Sequence, residues 1–482
     1  MKMIEPQVSS TNQDFQVRQK CELAKHLENA GDYEAARKAL AGFWGEIGER
    51  PTAAGLGPAT KAELLLRAGS LTGWLGSAQQ VPQAQEIAKD LIAESARIFA
   101  SLGQHEKVVE AQTDLAICYW RAGALEEAAV WFQEALSRAS SVENRVRILI
   151  NRAIVEIFSN RLDEALNHLS EAAPLLEEID DHATHGRYHM QRAIAFKRLG
   201  RRDNLDRALI ENAAASFHLE QARHARYLAR VENNIAGILM ELQRFDEALE
   251  HLNKARQIFT ELKDDGSIAQ VNETLAHVFL AQQRGAEAEQ AAAKAVEILE
   301  HGDEQALLSE ALTTRGIALS QMGRYQEALE IFSRGAQIAE VAGDRVSSGR
   351  TRLMMVEQLE HYLPPEDLFT LYHEADERVG EAPDSNTGDR LRSAARIAIA
   401  AALRVAGTTI EETLSNSSLK EEVRRYEGEL IKRALERTDG QVTSAARMLG
   451  ITHQGLCEML KTRHQSLRIR PPRMRQRPLS DE

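Results

Sequence analysis

Alanine returns at forty-residue steps along this chain. From Ala328 in "GRYQEAL" the walk backwards lands on Ala288, Ala248 and Ala208, and related anchors stand at Ala165, Ala128, Ala88 and Ala36. A period of this length marks one supersecondary unit repeated many times; such a unit cannot bury its apolar stripe alone and must stack on its neighbours. Small residues also recur at fixed offsets, as they must where helices approach closely. Twelve residues before the anchors lie Ala24, Gly76, Ala116, Ala153, Ala236, Ala276 and Gly316; seven after them lie Ala135, Ala172, Ala215, Ala255, Ala295 and Gly335. Phe196 interrupts the first series, and taking Ala193 in its place implies three extra residues in "GRRDNLD".

Composition agrees with an all-α chain. Ala, Leu, Glu, Arg and Gln dominate, aromatics are only 5%, and 482 residues suffice for one extended array or several domains. Cys21, Cys118 and Cys457 are far apart and make no C-x-x-C or Cys/His ligand spacing, so neither a disulfide framework nor a zinc site is expected. No apolar secretory region and no run of eighteen uncharged apolar residues occurs, which predicts a soluble, cytoplasmic protein without membrane contact. No G-x-S-x-G, H-E-x-x-H, paired-carboxylate or kinase motif appears, so the reading is of a non-enzyme that needs no cofactor.

The turn and second helix in "GRYQEALEIF", 323–332, resemble the tetratricopeptide repeat family, and the resemblance spans roughly residues 15–340. It implies a right-handed α-solenoid with a concave groove. Counting from the small residues puts Glu110, Arg147, Arg187, Arg230, Gln270 and Glu310 in one row on that face. Asp114, Asn151, Gln191, Asn234, Thr274 and Thr314 form the next. In this family Asn and basic residues at such positions hold peptide backbones and carboxylates. The resemblance therefore implies a protein or peptide partner on Arg147, Asn151, Arg187, Gln191, Arg230 and Asn234.

Two stretches invite other chemistry. "GLGPATK", 55–61, lies in the Gly/Pro-rich segment 42–60, reads as a surface loop, and lacks the closing Gly-Lys-Ser/Thr of a phosphate loop. His182, His185 and His189 share one helical side, but no carboxylate stands at ligand spacing on that face, so no metal is expected.

The C-terminal region reads differently. Ser418 offers a cap to a helix with Leu419, Val423, Tyr426, Leu430, Ile431 and Leu435 on its apolar side, stopped at Gly440. "VTSAARMLG" is a short helix whose Ala445 and Ala446 permit close packing, Gly450 makes the turn, and Ile451 plugs it. Thr452 then caps a helix with Leu456, Met459 and Leu460 inward. Two short helices about a glycine turn form a helix-turn-helix, and 418–464 resembles the Fis-type domain of bacterial enhancer-binding activators. The resemblance implies that Thr452, His453, Gln454 and Gly455 face bases or the adjacent backbone, that Thr443, Ser444 and Lys461 meet phosphates, and that the helix at 418–437 forms a homodimer. Arg463 adds a further cation beside them. Cys457 and Glu458 depart from the family, which often has Arg or Lys there; a glutamate accepts from cytosine but repels phosphate.

Residues 441–480 carry eight basic side chains against the single acid Glu458, a net +7, which leaves −20 for the rest of a chain of net charge −13. That asymmetry suits a nucleic-acid module tethered to an acidic body. The organisation expected is a disordered segment at 1–14, a repeat array at 15–360, a terminal hairpin and linker at 361–409, a helix-turn-helix at 410–464, and a basic, disordered tail at 465–482. Two functions remain open: a bacterial DNA-binding transcriptional regulator controlled through its array, or a non-enzymatic scaffold with a vestigial or protein-binding helix-turn-helix.

Overall fold

The computed structural model describes residues 7–380, 385–405, 419–438 and 440–467, in which twenty-two α-helices and no strand occur. They pair as α1 (Gln7–Asn29) with α2 (Tyr33–Ala39), α3 (Pro58–Gln79) with α4 (Ala84–Ser101), and α5 (His105–Arg121) with α6 (Leu125–Arg138). Next come α7 (Val142–Phe158) with α8 (Leu162–Leu176), α9 (His182–Arg198) with α10 (Arg202–Gln221), and α11 (Ala225–Glu241) with α12 (Phe245–Glu261). The series closes with α13 (Asp265–Ala281) and α14 (Gly285–Leu299), α15 (Gln305–Gln321) and α16 (Tyr325–Val341), then α17 (Arg345–Gln358) and α18 (Pro365–Val379). After α19 (Ser385–Val405) stand α20 (Leu419–Arg437), α21 (Val442–Met448) and α22 (His453–Thr462). The chain divides into two units, residues 1–362 with 373–389, and 363–372 with 390–482, so the hairpin expected beyond 361 is shared between them.

Within the first unit the alanine anchors do what their spacing predicts. Ala36, Ala88, Ala128, Ala165, Ala208, Ala248, Ala288 and Ala328 are all 0% exposed, each on the second helix of its pair. Their partners on the first helices are as confined: a Cβ on Gly316 would meet the Phe332 ring at 2.7 Å. Ala193 is buried, as the three-residue insertion requires. Gly123, Gly323 and Gly343 end helices at positive φ, whereas Asn160, Gln243, Lys263 and Gln283 do the same without glycine's freedom.

Three expectations change here. Helix α1 begins at Gln7, inside the segment expected to lack structure. Val17, Cys21 and Ala24 anchor it in the first core, and Asp14 is fixed by the Gly57 N–H at 2.9 Å, so extending the helix N-terminally costs little. The 42–60 segment is irregular but is not a bare surface loop. Trp44 is buried with its indole N–H on the Glu49 carbonyl at 3.0 Å, and Phe43, Ile47, Ala53 and Leu56 pack on the same core. Its would-be phosphate position is taken by the Asp14 carboxylate, while Lys61 pairs with Glu94 at 2.9 Å.

The third change concerns the concave face. It is closed by a seam at which the start of the array meets a segment more than two hundred residues downstream. Gln80 donates to Glu304 at 2.8 Å, and the Gln83 and Gln85 amides donate to Asp303 at 2.8 and 3.4 Å. Glycine makes the approach possible: side chains at Gly31, Gly266 and Gly302 would strike His224, Ser77 and Gln80 respectively. Gln80 and Gln83 themselves adopt left-handed φ of 53° and 60°.

Candidate nucleic-acid interface and the interior of the array

The second unit holds its own small core of Ile431, Ala434, Leu435, Ala445, Ala446, Leu456 and Leu460, with Val442, Leu449, Ile451 and Met459 packed around it. Sequence dictates the geometry in three places. Gly440 and Gly450 take φ of 77° and 70°, which a side chain would strain, and so set the two turns. Thr452 caps α22 by accepting the Gly455 N–H at 3.0 Å. Leu456 and Leu460 then anchor one side of α22, which turns Thr452, His453, Gln454, Glu458 and Lys461 to solvent; Gly455 is half-buried at the cap. On α21, Thr443 is exposed and Ser444 half-buried, its hydroxyl on the Gln441 amide oxygen at 3.2 Å.

Arg463 is exposed but leans towards Glu427 at 3.7 Å, and its carbonyl accepts both Nε and Nη2 of Arg424 at 2.9 and 2.6 Å. Two supports escaped the sequence reading. His464 is 6% exposed and bonds Glu427 at 2.8 Å, which ties the end of the motif back to α20. Phe369 places its ring 5.3 Å from that of Tyr426 on α20. Neither contact has a local signal, since the partners lie 37 and 57 residues apart in sequence. Cys457 lies 3.7 Å from His453 one turn earlier, both facing outward. The cap at Ser418 and the basic tail from Arg468 onward lie outside the described residues, as does the Leu419 side chain.

In the array, the first helices bring their polar rows together, buried or half-buried, where several of them contact one another. Arg187 donates to Asn151 at 3.0 Å, Asn151 donates to the Arg147 carbonyl at 2.7 Å, and Arg147 pairs with Asp114. Gln191 is buried, and Asn234 has a buried amide nitrogen with no hydrogen-bond partner among the described residues. Arg230 lies 5.6 Å from the Tyr227 ring and makes no ion pair among the described residues. Towards the start of the array Arg67 is the hub of an ionic network, 2.8 Å from Glu28, 2.6 Å from Glu110 and 3.6 Å from Glu63. Lys25 and Lys107 reach the same carboxylates. Burial pushes the Glu28 carboxyl up despite Arg67 beside it, and the Glu110 carboxyl is held below its ordinary range: burial is opposed there by Arg67, Lys25 and Lys107.

The histidines of α9 gather a fourth, His218 of α10, at 2.8 Å from His182 Nδ1, and His189 bonds Glu211 at 2.7 Å. A carboxylate thus does reach that face, from the partner helix. The rings of His185 and His189 stack on His218, with centroids 4.9 Å and 5.6 Å away. No group of three or more ligands suited to a metal is found among the described residues.

Known families match three segments. The tetratricopeptide repeat model matches residues 227–300 and 267–340, that of the 26S proteasome subunit RPN7 matches 82–211, and that of the bacterial regulatory protein Fis family matches 422–461. No curated protein is a detectable relative. Among solved structures, a Rap protein complexed with competence and sporulation factor is 16% identical, with 75% of this chain and 99% of that one covered at a TM-score of 0.49. Yeast Tom70 is 15% identical over 85% of this chain and 88% of its own, at a TM-score of 0.42. No helix of the described residues is long and apolar enough to cross a membrane. The chain therefore carries tetratricopeptide repeats and, at its C-terminal end, a helix-turn-helix of the Fis family.

Proposed function

We propose that the protein is a DNA-binding transcriptional regulator in which α22 enters the major groove and the repeat array receives the signal. The observation that carries this reading is the outward row on α22, held by Leu456 and Leu460, within the segment matched to the Fis family. His453 and Gln454 are placed to read base edges, Gln being suited to adenine, while Thr443, Ser444 and Lys461 hold the phosphate backbone. Arg463 contributes charge but shares it with Glu427. Glu458 is an acid on the reading face, which favours cytosine over unselective phosphate contact.

A homodimer through α20 would space two recognition helices about one DNA turn apart. The array's interior arginines and amides, Arg147, Asn151, Arg187, Gln191, Arg230 and Asn234, serve a ligand or partner whose binding changes dimerisation or exposure of the basic end. No catalytic role is assigned. Selection of bound sequences from random duplexes with the full chain tests this: a two-fold symmetric site with half-sites one helical turn apart is expected. Enrichment of no sequence, with His453→Ala/Gln454→Ala indistinguishable from the parent, would return the protein to a scaffold role.

A further inference from the structure

A half-open chamber of about 30 Å³ lies beside the seam, walled by Tyr33, Trp74, Arg121, Arg226, Arg230 and Gln270. A second, smaller space shares Trp74 and Arg121. Guanidiniums outnumber the acids that line the chamber, and those acids are already engaged. Asp264 pairs with Arg226 and caps the Ser267 N–H at 3.0 Å; Glu304 accepts from Gln80. Arg121 lies 3.8 Å over the Trp74 ring and donates Nη1 to the Gly73 carbonyl, while Arg226 lies 4.7 Å over Tyr33. Buried Nε atoms of Arg121, Arg226 and Arg230 have no hydrogen-bond partner among the described residues, and Arg226 is only 5% exposed.

The charge surplus is felt by the neighbours. Burial alone would raise the Tyr227 hydroxyl, yet it is held below its ordinary value by Arg187, Arg230, Arg121 and Arg147. His224 is driven down to about 3, by burial first and then by Arg187, Arg230 and Arg226. Arg226 is paired with Asp264, whereas Arg121 and Arg230 make no ion pair among the described residues; unpaired guanidiniums facing unfilled space are costly, and a bound anion removes that cost.

We propose that this chamber binds a small anion, a carboxylate or phosphate group seated among Arg121, Arg226 and Arg230 with Trp74 and Tyr33 as its apolar walls. A space of this size has room for one compact anionic group, and the signal read by the array is then a small acidic molecule. This rests on the reading of the array as a sensor, and deepens it.

Isothermal titration of the full chain with inorganic phosphate and, separately, with succinate tests the proposal, at constant ionic strength in chloride. Saturable binding of one anion per chain is expected, weakened at least tenfold in Arg230→Gln and unchanged in Arg244→Gln, whose side chain pairs with Glu247 on the outer surface. Saturation by phosphate alone assigns a phosphorylated ligand, and by succinate alone a carboxylate. Should Arg230→Gln lose helical circular dichroism, Gln270→Glu replaces it, and binding must then vanish because a carboxylate occupies the chamber. No saturable heat with either anion, or equal affinity in a folded variant, overturns the proposal. Duplex DNA binding measured on the same samples separates the two claims: DNA bound without anion sinks the chamber alone, and anion bound without DNA sinks the regulator reading alone.

Discussion

Replacing Arg67 by Met removes the centre of the ionic network while keeping a side chain of similar length in a close-packed interior. The Arg67 side chain is 3% exposed, and it is the only ion-pair partner of Glu28 among the described residues, at 2.8 Å. At an effective dielectric of about 20 that separation corresponds to about 6 kcal/mol of gross attraction, much of it offset by desolvation of both charges. What the variant exposes is the desolvation itself: a carboxylate only 9% exposed is left without a cation. Breaking a buried pair in this way costs about 3–5 kcal/mol. In a unit of this size that lowers the melting temperature by on the order of 4–6 °C. Glu110 suffers less, because Lys25 and Lys107 remain.

The pH dependence gives the mechanism a signature. Glu28 already sits above its ordinary value, and loss of Arg67 raises it further, so a proton replaces the guanidinium as pH falls. The deficit of Arg67→Met should therefore be largest above neutrality and shrink towards pH 4.5, and Glu28→Gln in the same background should recover much of it. Differential scanning fluorimetry across pH, with the four-corner mutant cycle, measures this. A loss below about 1 kcal/mol, or one independent of pH, would refute the claim that the network holds the start of the array together.

Further outcomes follow from other residues. Glu273 is buried, and burial and then Glu310 raise its carboxyl well above the ordinary value; its ionisation opposes folding, a cost absent in acid and complete once pH exceeds the folded value. Glu273→Gln should thus stabilise the protein by about 1–3 kcal/mol at pH 8 and by nothing at pH 4, read as a melting-temperature difference. Asp303→Ala removes the acceptor for the Gln83 and Gln85 amides, which should exchange faster with deuterium while amides of the α20–α22 core do not change. Lys461→Ala should weaken every duplex alike and lower the salt slope by about 1 per chain, whereas Glu458→Gln should raise affinity for unselected duplex severalfold.

Much of this architecture could be read before any coordinate, for a physical reason. An alanine that touches a neighbouring backbone tolerates nothing larger, so close helix approach writes itself into sequence at fixed period, as the fully buried Ala248 and Ala288 illustrate. The helix-turn-helix was legible for the same reason, since Ala445, Ala446 and Gly450 each answer a local steric demand. The seam was not. Closure depends on a small rotation per repeat summed over more than five units, and no local pattern reveals that Gln80 will meet Glu304, 224 residues away. The fixed period places Arg147, Arg187 and Arg230 at equivalent positions of successive first helices, but it carries no information on what those helices meet across the array. Trp44 was hidden by its Gly/Pro-rich context, which signals irregular backbone and says nothing of whether that backbone is buried.

The central claim is that α22 reads DNA, and its most direct test is a fluorescence-anisotropy titration of labelled duplex with the full chain at increasing salt. Binding is expected at about 50 mM salt and weakens steeply, with log K falling by about 0.9 per phosphate neutralised for each unit of log salt, and His453→Ala/Gln454→Ala/Lys461→Ala loses much of the affinity. Absence of binding at low salt, or a triple variant that binds as well as its parent, would contradict it.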